Sequence, residues 1–120
     1  MTTSLPAAIS DYLAASDRRD VDAVVASFAE DAVVVDEDKE WRGHARIREW
    51  RKTVAAAYDY TFELRGATAL GELDGVERYD VYAHLEGNFP GGVVDLTHRF
   101  GLRGGRIATL SIVPSTTGPS

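Results

Sequence analysis

The stretch RRDVDAVVASFAEDAVVVDEDKEWRGHARIREW, residues 18–50, changes character three times. Asp20 can cap a short helix whose apolar stripe is Val21, Val24, Val25 and Phe28. Residues 32–36, AVVVD, are short and β-branched, which reads as a strand ending in a carboxylate. Residues 37–43 read as a polar connection containing Trp41. A further helix follows, with Ile47, Trp50, Val54 and Ala57 or Tyr58 on its buried side. Asp36 stands at the join and has two readings. It either opens a solvated acidic loop with Glu37, Asp38 and Glu40, or is a carboxylate at the mouth of a pocket.

Upstream, a first helix is expected with Ser4 as N-cap and Pro6 in its first turn. Leu5, Ile9, Tyr12, Leu13 and Ser16 then share one face. Downstream of Asp59 the period becomes two. Tyr60, Phe62 and Leu64 alternate with polar residues up to the hairpin signal Asp74-Gly75. Tyr79, Val81, Ala83 and Leu85 then oppose Asp80, Tyr82, His84 and Glu86. GNFPGG, residues 87–92, is a second turn. Val94, Leu96, His98, Phe100 and Leu102 follow on one face, with Asp95, Thr97, Arg99 and Arg103 on the other. Gly104-Gly105 turns the chain into a last strand with Ala108, Leu110 and Ile112 on its apolar side. Helix, helix, short strand, helix and four long antiparallel strands make an α+β protein with helices on one face of a curved sheet.

The 120 residues, 44% of them hydrophobic, suit a single domain, with a core over roughly residues 5–113 and a flexible tail at 114–120. There is no cysteine, which removes disulfides and thiolate metal sites and suits a reducing cytoplasm. The net charge of −6 argues against nucleic acid as a partner. The local cluster Arg42, Arg46, Arg48, Arg51 and Lys52 reads as a solvated helix face. No secretory leader is visible, and no window nears the roughly 18 apolar residues of a membrane span.

This element order resembles the nuclear transport factor 2-like superfamily, particularly its SnoaL-like members. The resemblance is carried by residues 18–50 and by GNFPGG leading to LTHRFGLRGGRIATLSI, and it covers about residues 9–114. It implies a cone in which three N-terminal helices pack on the concave face of an antiparallel sheet around an apolar pocket. Family members include steroid isomerases, polyketide cyclases, dehydratases and epoxide hydrolases, as well as binding or association modules without catalysis. Comparison with the steroid isomerases aligns their first-helix tyrosine with Tyr12 and their catalytic aspartate with Asp36. The second acid of those enzymes has no counterpart, because Val94 stands in its place and the adjacent Asp95 falls on the opposite face.

The expected site is therefore Asp36, Tyr12 and His98. Asp36 would take a proton next to a carbonyl, as a desolvated strand-end carboxylate can. Tyr12 and His98 would stabilise the oxygen or return the proton. His98 qualifies because it sits in the apolar phase between Leu96 and Phe100. Each has a structural alternative, as a core tyrosine and a core-edge histidine. Phe28, Trp50, Phe62 and Phe100 are expected to wall the pocket and bind a small apolar molecule. No cofactor is required, and no metal-ligand spacing is present. The resemblance also implies a homodimer through the convex sheet face, where Tyr82 and His84 would lie. His44 is expected at the surface.

Overall fold

A computed structural model describes residues 5–115. The elements are α1 (Ala7–Asp17), α2 (Val21–Ala26), β1 (Phe28–Asp36), β2 (Lys39–Arg42), α3 (His44–Ala57), β3 (Tyr60–Leu73), β4 (Val76–Gly87), β5 (Val93–Arg103) and β6 (Arg106–Pro114). One six-stranded sheet runs in the order β2-β1-β6-β5-β4-β3. Only the β1–β6 pair is parallel. The sheet is curved and unclosed, and the α+β class with three helices is as expected.

The sequence reading needs correction in several places. α1 begins at Ala7 with Pro6 at its cap, because the Pro6 φ of −58 leads into the helix while its ψ of 152 does not. Ser4, the expected cap, lies outside the described residues, as do residues 116–120 of the expected tail. Pro114 itself ends β6, and Ser115 donates its N–H to Asp95 O at 2.9 Å. α2 stops at Ala26, so Phe28 opens β1 instead of closing the helical stripe. Residues 37–43 are a hairpin and not a loose connection. Glu37 and Asp38 both take positive φ (54 and 63), which turns the chain tightly and pairs Asp36 with Lys39. Lastly, a bulge between Gly101 and Leu102 shifts the pairing with β6. It brings Ile107 inward, a residue that strict alternation leaves on the outer face.

Other local signals hold. Asp20 caps α2 by accepting from Ala23 N–H at 3.2 Å. Gly43 precedes α3 at φ 85, a conformation open to glycine, and its N–H reaches Ala32 O at 2.8 Å. His44, in contrast, is half-buried and not at the surface as expected, because its Nε2 bonds Phe28 O at 2.9 Å and ties the start of α3 to β1.

The core lies where the helices cover the sheet. Ile9 and Tyr12 of α1, Val24 and Val25 of α2, and Ile47 and Trp50 of α3 pack with Phe28, Ala32 and Val34 of β1 and with Val81, Phe100 and Leu110. Each such large apolar side chain stabilises the fold by about 1.5–3 kcal/mol. No helix among the described residues is long and apolar enough to cross a membrane.

Candidate functional site

The sheet register brings the candidate residues together. Asp36 pairs with Ile112 of β6, and Ile112 pairs with His98 of β5. The three form one row across adjacent strands, so their side chains leave the same face of the sheet. Asp36 and His98 are two strand spacings apart, roughly 10 Å between backbones. They do not touch. Both line a cavity of about 560 Å³ under the second half of α3, which Phe89 and Pro90 also line. That volume is in the range of small-molecule sites.

Asp36 is half-buried, and its Oδ2 accepts from Trp50 Nε1 at 2.9 Å. This bond orients the carboxylate, and its other oxygen has no hydrogen bond among the described residues. His98 is 5% exposed and its Nδ1 has no hydrogen-bond partner among the described residues. Burial, aided by the nearby positive Arg51, pushes its pKa down to about 4, so the ring is neutral at pH 7. Phe62 meets its edge and Phe100 stacks beside it, with ring centres 5.8 and 6.2 Å away.

Tyr12 is placed differently. It is fully buried between the rings of Phe28 and Phe100, with centroids 5.7 and 5.5 Å away. It borders a second, much smaller chamber of about 40 Å³, also lined by Phe62 and Ser16. Arg51, Tyr60, Leu85 and His98 line both chambers and form the partition. Burial pushes the Tyr12 phenol up to about 12, partly offset by Arg51, so it stays protonated. Of the four expected wall residues, Trp50 lines the large cavity and Phe62 the small chamber. Phe28 and Phe100 border neither chamber and belong to the core around Tyr12.

Arg51 is a correction to the sequence reading, which put it on a solvated face. It is 6% exposed, with its guanidinium 4.9 Å over the Trp50 ring. Burial favours its neutral form, but Tyr12, Tyr60 and Asp36 outweigh that and hold its pKa above the ordinary arginine value. The signal was present in the sequence. Ile47, Trp50, Arg51 and Val54 follow i, i+3, i+4, i+7 spacing, which sets Arg51 on the apolar stripe. Tyr58 and Tyr60, at the α3–β3 junction, also line the large cavity; their spacing places them on apolar faces but does not mark them as site residues.

Asp95 faces outward, where its Oδ1 meets His84 Nδ1 at 2.6 Å, while Val94 faces the cavity. β5 thus offers the cavity no second acid. Among the described residues no group of three or more His, Cys, Asp or Glu side chains could hold a metal ion.

The SnoaL-like domain pattern of a known family fits residues 9–110. The chain belongs to the SnoaL-like family. A candidate polyketide cyclase from Sinorhizobium meliloti shares 36% identity over 91% of this chain and 95% of its own, with a TM-score of 0.82. A protein of ketosteroid isomerase-like fold from Catenulispora acidiphila, solved with trimethylamine, is 18% identical over 93% of this chain and 88% of its own, with a TM-score of 0.77. The Orange Carotenoid Protein of Anabaena, binding canthaxanthin, is 15% identical over 98% of this chain but only 38% of its own, with a TM-score of 0.82. These last two likenesses carry the fold alone. No curated protein matches the SnoaL-like chain.

Proposed function

We propose that the cone cavity is an acid–base site that works without a cofactor on a small apolar carbonyl or hydroxyl compound, as an isomerase, cyclase or dehydratase does. The observation that carries this reading is the shared row. A carboxylate with one oxygen unbonded among the described residues and a buried neutral imidazole face the same cavity from one face of the sheet, two strands apart. Asp36 removes a proton from the carbon next to the carbonyl, and the electron pair moves into the oxygen to give an enolate. His98 donates a hydrogen bond to that oxygen. Protonated Asp36 returns the proton to the same or another carbon. Tyr12, a protonated phenol beyond the partition, is the second donor of the set and acts on the oxygen only if the partition residues yield.

The test is exchange of the α-protons of 2-tetralone with deuterated solvent, followed by NMR. Catalysed exchange by the wild type, and its loss in Asp36→Asn, is the expected result. A wild type that binds 2-tetralone without exchanging its protons would instead be a ligand-binding module. The canthaxanthin-binding protein of the same fold supports that alternative.

The convex face is proposed as the homodimer surface. It presents Tyr82, the His84–Asp95–Glu86 cluster and Val93, which is 55% exposed. Sedimentation should give twice the chain mass for wild type and the monomer mass for Tyr82→Asp. A monomeric wild type would overturn this assignment.

A further inference from the structure

Arg51 raises a question that acid–base chemistry leaves unanswered. The other arginines around α3 have acidic partners at the surface: Arg42 with Glu40, Arg46 with Glu49, and Arg48 with Asp22. Among the described residues no carboxylate lies within ion-pair distance of Arg51, although Arg51 is more deeply buried than any of these three. A buried guanidinium without a counter-charge is costly, and such groups are normally paired. The Trp50 ring covers one face of the guanidinium and the Tyr60 side chain takes one of its hydrogen bonds, while Arg51 also borders the cavity with N–H groups to spare. On the same wall, His98 Nδ1 is buried and unpartnered. A buried guanidinium with no carboxylate beside it and an unpartnered imidazole nitrogen therefore border one cavity, and such groups call for a partner.

We propose that the ligand of this cavity carries an anionic oxygen (carboxylate, phenolate or enolate) seated against Arg51 and His98, with an uncharged ring system lying toward the mouth. The inference rests on the pocket reading above and adds the class and orientation of the ligand. The mouth sharpens it. Asp36, Glu37 and Asp38 line the cavity's edge, and the latter two are exposed on the hairpin turn. A second anionic group at the outer end of the ligand would face these carboxylates. The site therefore selects monoanions that are charged at the inner end alone.

Binding of 2-naphthoate, 2-naphthamide and 2,6-naphthalenedicarboxylate at pH 7, by calorimetry, tests the idea. The amide has the same rings without the charge. Wild type should bind naphthoate about 10- to 100-fold more tightly than the amide, the range of one or two charge-assisted hydrogen bonds. The dicarboxylate should bind more weakly than naphthoate. Arg51→Met should bring the naphthoate-to-amide ratio close to one without weakening the amide, and Arg51→Lys should keep most of the preference. If Arg51→Met does not fold, the wild-type ratio and Arg51→Lys carry the test. Equal binding of naphthoate and amide by wild type would overturn the anion site while leaving the pocket intact. So would a preference that survives in folded Arg51→Met. Failure of all three compounds to bind would overturn the pocket reading as well.

Discussion

Asp36→Asn is expected to slow α-proton exchange of 2-tetralone by about 10²- to 10⁴-fold, the usual contribution of a positioned general base. The fold should survive. The asparagine carbonyl can still accept from Trp50 Nε1, which now donates to Asp36 Oδ2 at 2.9 Å. Asp36 is half-buried at the cavity edge and forms no ion pair among the described residues, so the substitution removes only its longer-range attraction to buried Arg51. Asp36→Ala would be a poorer test, because it strands the indole N–H and mixes a stability loss of about 1–3 kcal/mol into the reading. The thermal midpoint of Asp36→Asn should stay close to that of wild type. Exchange that continues at the wild-type rate in a folded Asp36→Asn would remove Asp36 from the mechanism, whatever else the cavity binds.

The legible parts of this protein are those where a local rule and the tertiary structure agree. Period-two alternation in β4 and β5 correctly separates Val81, Ala83 and His98 from Tyr82, His84 and Asp95. That separation alone predicts that Asp95 cannot serve as the second acid. The strand ending at Asp36 is equally plain, because three valines cannot be satisfied on a solvated loop. The misreadings have physical causes. Glu37 and Asp38 are not glycines, and positive φ at both is uncommon enough that the β1–β2 hairpin goes unread. Ile107 is inverted by a bulge, which composition does not announce. Arg51 was assigned by its charge when its helical spacing pointed inward. The Tyr12 spacing correctly gives a buried face, but whether a hydroxyl reaches one chamber or its neighbour depends on the partition side chains. No periodicity encodes that.

The second large effect concerns pH and comes from His98. In the unfolded chain its imidazole titrates near 6.5, whereas in the folded protein burial, together with the positive Arg51, lowers it to about 4. Above pH 6.5 the ring is neutral in both states and its full contribution to stability is present. Between 6.5 and about 4 only the unfolded chain takes up the proton, so stability falls as pH falls. Below about 4 the folded ring is protonated too and the loss is complete. With about 1.4 kcal/mol per pKa unit, this one group should cost about 3 kcal/mol in full and about 2 kcal/mol by pH 5. The carboxylates add a pH dependence of their own, which a comparison with His98→Leu cancels. Urea unfolding at pH 7 and pH 5 should show wild type losing about 2 kcal/mol more than His98→Leu over that interval. Equal losses in the two proteins would mean that the imidazole is protonated in the folded state at pH 5. Burial would then not be what keeps His98 neutral, and the site would lose its neutral donor once the pH falls below about 6.5.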